Sequence, residues 1–90
     1  MRLAFEYDKG NGIEKKIVGP MAIIGYEQEN RTKISKLAES GIGMGDMTEL
    51  VWRQRKLDGH ESESLEEFRL ALLDIDPVAV EDPTQLREEV

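Results

Sequence analysis

Ninety residues, 39% hydrophobic and 34% charged with a net charge of −7, fit one small domain and leave part of the chain over for solvent. The absence of cysteine excludes a disulfide framework and a thiolate metal site. Residues 1–57 hold ten Lys/Arg against eight Asp/Glu and residues 58–90 hold two against eleven, so the C-terminal third repels nucleic acid and suits either solvent or a basic protein partner. The longest apolar run, Met21 to Ile24, is too short for a membrane span, and the opening MRLAFEYD carries acids where a signal peptide needs an apolar block.

Leu3, Phe5 and Tyr7 alternate with Arg2, Ala4 and Glu6, the period-two pattern of a half-buried strand. The turn-forming tetrapeptide Lys9-Gly10-Asn11-Gly12 and a second strand within GIEKKIVG complete a predicted hairpin. A lone hairpin is marginal in water, so it must lie on helices or on another chain, and its edge is free for self-association. Gly19-Pro20 then opens a predicted helix over Pro20–Glu29, with Met21, Ile24, Ala22 and Tyr26 as the apolar stripe and Gly25 as a costly interior residue. Asn30-Arg31-Thr32 reads as a break, followed by a short helix over Lys33–Glu39 and a glycine-rich linker.

A third helix is predicted from Met44 to Leu57, with Asp46 near its start and Arg53, Arg55 and Lys56 near its end to complement the dipole. Met44, Met47, Leu50 and Val51 recur at helical spacing, and Trp52 falls at the edge of that stripe. Two readings of these five residues stand side by side: they form the core of a small domain, or they form an adaptable partner-binding face in which methionine and an edge tryptophan are useful. Ser64 with Glu67 forms a capping box for a fourth helix, Leu65 to about Asp74, which Pro77 forbids from continuing. The polar, proline-broken stretch from Glu81 is expected to be disordered. The expected fold is α+β: an N-terminal hairpin with three to four short amphipathic helices in one domain, residues 1–80, and a flexible acidic tail, residues 81–90.

Chemistry-bearing constellations are weak. His60 lies in an acidic loop without further nitrogen or sulfur donors for zinc or the ordered oxygen series that calcium needs. Glu66 and Glu67 are adjacent on a helix and point apart, the glycines form no phosphate loop, and the serines have no triad partner beyond that one histidine. The expectation is a protein with no active site, metal or cofactor, which works by contact.

The order of segments resembles that of the tail assembly chaperones of long-tailed bacteriophages, in the short form made upstream of a translational frameshift. The resemblance runs through a strand pair, AIIGYE, KISKLAESG, GDMTELVWRQRKLDG, SLEEF and DPTQ (Asp82 to Gln85), covering about Phe5 to Gln85; the dense basic cluster Arg53 to Lys56 and the glycine at position 25 depart from it. It implies a non-enzymatic protein of the host cytoplasm, absent from the finished particle, which coats the helical, aggregation-prone tape measure protein. A longer frameshifted form would recruit tail tube protein. Two other classes share parts of the signature. One is an acidic inhibitor or antitoxin; the other is a helix-turn-helix DNA-binding regulator, for which the loop after the basic run is too long and the following helix too acidic.

Overall fold

Alternating side chains build the sheet first. The computed structural model describes residues 3–34, 41–59 and 63–78, and in it β1 (Leu3–Asp8) and β2 (Ile13–Val18) form the antiparallel hairpin, paired from Leu3 opposite Val18 to Asp8 opposite Ile13. Gly10 and Gly12 both have φ of 105° in the connecting turn, a region that side-chain-bearing residues avoid, and the Asp8 carboxylate accepts the Gly10 N–H at 2.6 Å. Leu3, Phe5 and Tyr7 face inward, as their alternation requires.

Helices cover that inner face. α1 (Pro20–Asn30) starts on Pro20 and stops at Arg31, which takes left-handed angles (φ 52°, ψ 41°) at the predicted break. α2 (Met44–Leu57) has the predicted limits. The Asp46 carboxylate accepts the Gly43 N–H at 3.1 Å, half of a capping box whose other half glycine has no side chain to supply. α3 (Leu65–Ala71) begins with the full box: Ser64 Oγ accepts from Glu67 N–H at 3.2 Å, and Glu67 Oε1 accepts from Ser64 N–H at 3.0 Å. The core joins Phe5, Tyr7 and Val18 of the hairpin to Ala22, Ile23 and Tyr26 of α1, Met47, Leu50 and Val51 of α2, and Phe68 of α3.

Two expectations are corrected. The fourth predicted helix does not reach Asp74: it ends at Ala71, Leu72 turns extended (ψ 126°), and Asp74–Val78 form β3, antiparallel to β1. The Leu73 N–H donates to the Asp8 carbonyl at 2.7 Å and carries the chain across to the sheet, which is thus three-stranded in the order β2-β1-β3. Pro77 sits on this edge strand, where a missing N–H is tolerated. The second correction concerns the face of α1. Ala22, Ile23 and Tyr26 are buried, whereas Met21 and Ile24 are 68% and 47% exposed. Met-Ala-Ile-Ile is apolar all round the helix, so its pattern selects no single face; polar anchors described below set the rotation. The helix predicted over Lys33–Glu39 lies outside the described residues apart from its start, where Ile34 is buried. His60 and the predicted tail, 81–90, also lie outside them.

Candidate functional site

The five predicted contact residues divide sharply. Leu50 and Val51 are fully buried and Met47 is 6% exposed, so in the folded domain these three are core. Met44 is 60% exposed at the start of α2, and Trp52 is half-buried against the core. A charge placed at Met47 or Leu50 would test the fold rather than a binding surface.

A second, unpredicted set surrounds Trp52. Met21, Ala22 and Gly25 of α1 and Trp52, Arg53, Lys56 and Leu57 of α2 line an open groove of about 340 Å³ between the two helices. Met21 and the 53%-exposed Leu57 leave large apolar surface at its mouth. Polar contacts fix the spacing of its walls. The Gly19 N–H at the start of α1 donates to Gln54 Oε1 at 2.9 Å, and the Tyr26 hydroxyl donates to the Asp46 carboxylate. Glu49, a nearly buried carboxylate, accepts from Asn30 Nδ2 and from Arg53 Nε, each at 2.9 Å. Burial and the hydrogen bond to Asp46 raise the Tyr26 pKa, so the hydroxyl stays protonated and able to donate.

Gly25 is part of the groove's shape. A Cβ at this position would stand 3.0 Å from Arg53 Nη1, so the helix-weakening glycine makes room for the guanidinium. The indole of Trp52 is oriented by its N–H, which donates to the Glu63 carbonyl at 3.0 Å. Lys56 Nζ lies 4.8 Å and Arg53 Cζ 6.0 Å from the centre of the indole, cation–π distances for both.

The basic run Arg53 to Lys56 is thus divided in direction. Arg55 turns inward: it donates to the Tyr7 hydroxyl and, at 3.2 Å, to Glu14 Oε2, while lying 5.7 Å from the centre of the Phe68 ring. Tyr7 in turn donates to Glu14 at 2.7 Å and meets Phe68 edge-on with ring centres 6.0 Å apart. Burial first, and then the bond to Glu14, push the Tyr7 pKa up to about 12 against the opposing pull of Arg55. This cluster ties hairpin, α2 and α3 together and serves the fold.

Two other surface features rank below the groove. A larger concavity of about 520 Å³ at the C-terminal end of α1 is lined, among the described residues, by Glu27, Gln28, Arg31, Thr32 and Lys33, none of them apolar. On the outer face of the sheet Glu6 stands opposite Asp76 and Asp8 opposite Asp74, yet among the described residues no group of three or more acidic, histidine or cysteine side chains is arranged to hold a metal ion. No helix among them is long and apolar enough to cross a membrane.

Comparison of the chain with protein-family models, curated proteins and solved structures found no match. The class defined by the fold and the groove is a small α+β domain in which a three-stranded sheet carries a helix pair with an apolar, cation-rimmed cleft.

Proposed function

We propose that this protein is a non-enzymatic phage tail assembly chaperone that keeps the tape measure protein soluble by covering its helical apolar surface until the tail tube forms. The observation that carries the reading is the exposed apolar mouth between α1 and α2, with Met21 at 68% and Leu57 at 53% exposure beside a half-buried tryptophan. Isolated apolar side chains on a surface are ordinary; a groove that gathers two of them around an oriented indole is the form taken by sites that receive a helix. The segment order shared with the chaperone family supports the same reading. In this role the protein acts in the host cytoplasm and leaves before the particle is finished, and a longer frameshifted form supplies contact with tube subunits. Among the described residues no strand pairs with the outer edge of β2, and that edge offers a route to self-association.

Co-expression with the tape measure protein tests this directly. The tape measure should appear in the soluble fraction and co-purify with the wild-type chain, and Met21→Glu with Leu57→Glu should abolish that capture while leaving the thermal midpoint nearly unchanged, because both residues are exposed. A tape measure that is equally insoluble with and without this protein would end the proposal. Normal capture by the folded double variant would remove the groove from it.

A further inference from the structure

The groove's rim has a charge that the rest of the molecule does not predict. On a chain of net charge −7, the two ionisable residues that line it among the described residues, Arg53 and Lys56, are both cations, and both lie against the same indole. Lys56 makes no ion pair among the described residues. Among the described residues Arg53 pairs with Glu49, which it engages through Nε, while Nη1 lies over the open backbone of Gly25.

From this we infer that the groove discriminates by charge: it takes a leucine or methionine side chain from an amphipathic helix whose neighbouring positions carry Glu or Asp. The apolar side chain covers Met21, Leu57 and the indole. A carboxylate one turn away meets the Lys56 ammonium and the Arg53 guanidinium at the apolar rim, where charge-assisted hydrogen bonds are less screened than on open surface. A helix flanked by lysines would bring like charge to both cations. About 340 Å³ accommodates inserted side chains rather than a whole helix, so the partner lies across the mouth. This deepens the chaperone reading by naming which stretches of the long partner are held, and it rests on that reading only for the partner's identity.

Trp52 is the chain's one tryptophan, so its emission reports on the groove in the full-length protein. The probes are two synthetic, tryptophan-free amphipathic helices with the same leucine stripe, one flanked by glutamates and one by lysines. The glutamate peptide should shift the emission saturably, weaken as salt is raised, and bind about tenfold more tightly than the lysine peptide, the scale of two rim charge contacts. Lys56→Glu should erase or invert that preference with an unchanged melting curve, and Gly25→Leu, which fills the groove, should abolish the response to both peptides. Equal binding of the two peptides, or a preference that survives Lys56→Glu, overturns the inference. So does a full-length variant with Glu81, Asp82, Glu88 and Glu89 neutralised, if its emission is already shifted without peptide and it binds the glutamate peptide about tenfold more tightly: the chain's own acidic end would then be the occupant. Failure of the chaperone reading is separate, appearing as an insoluble tape measure protein despite tight, charge-selective peptide binding.

Discussion

Gly25 is where local stability and surface shape pull in opposite directions. A glycine inside a helix costs about 1 kcal/mol relative to alanine. Here it opens the wall of the groove, and the atom that an added Cβ would approach is Arg53 Nη1 at 3.0 Å, the end of a flexible side chain. The guanidinium can swing aside while its Nε remains on Glu49. Gly25→Ala should therefore raise stability by about 0.5 to 1 kcal/mol, measured by urea unfolding, because the backbone gain exceeds the cost of moving one guanidinium nitrogen. The same variant should bind helical partners more weakly, since Arg53 is displaced from the rim. A destabilised Gly25→Ala protein would mean that Arg53 is held more rigidly than its contact with Glu49 implies. Ser64 tests a different residue-scale contribution. The helix it starts is only seven residues long, and the paired Ser64–Glu67 bonds satisfy N–H groups that helix propensity cannot. Ser64→Ala should cost about 1 kcal/mol in the same measurement.

Elements with their own punctuation were legible in the sequence, and elements defined by a distant partner were not. The hairpin follows from alternation and a glycine-bearing turn, and α2 runs over the predicted Met44 to Leu57 because glycine, Asp46 and the basic end mark its limits. β3 was hidden. Asp74-Ile75-Asp76-Pro77-Val78 has alternation over one apolar residue and contains a proline, and what makes it a strand is the unpaired edge of β1 waiting opposite. The candidate site was legible only in part. Trp52 was found, but Met21 and Leu57 look like ordinary stripe residues until the packing rotates them outward. The one available signal was Gly25, an expensive residue in an otherwise good helix. The pairing of β3 has its own consequence: Glu6 faces Asp76 directly across the strands, a like-charge contact that weakens the ladder. Asp76→Lys would replace repulsion with an opposite-charge pair and should stabilise the protein by about 0.5 to 1 kcal/mol at low salt, with the gain shrinking as salt is added. No gain in urea unfolding would show that these carboxylates already diverge into solvent.

Across the whole molecule, two buried tyrosines hold the layers together, and both are protected in the protonated state. Tyr7 links the sheet to α2 through Arg55 and Glu14, and Tyr26 links α1 to α2 through Asp46. They are the chain's only tyrosines, so an alkaline titration sees nothing else of their kind. The Tyr7 pKa stands at about 12 in the folded protein against an ordinary value of 10.0, because burial penalises the phenolate and Glu14 needs its proton. The folded state therefore binds that proton more tightly than the unfolded state does. Its contribution to stability is complete below pH 10 and is lost as the pH climbs from there through about 12. The raised pKa of Tyr26 acts in the same direction. Native protein at pH 10 should accordingly show almost no tyrosinate absorbance while urea-unfolded protein is about half ionised, and tyrosinate should emerge at higher pH together with loss of the far-ultraviolet helical signal. Tyr7→Phe provides the control. It should be less stable at neutral pH by about 1 kcal/mol through the lost hydrogen bonds, yet its stability should fall less steeply above pH 10 than that of the wild type. Tyrosinate appearing at pH 10 in a still-folded protein would show that the two hydroxyls are open to water, and that they do not hold the layers together.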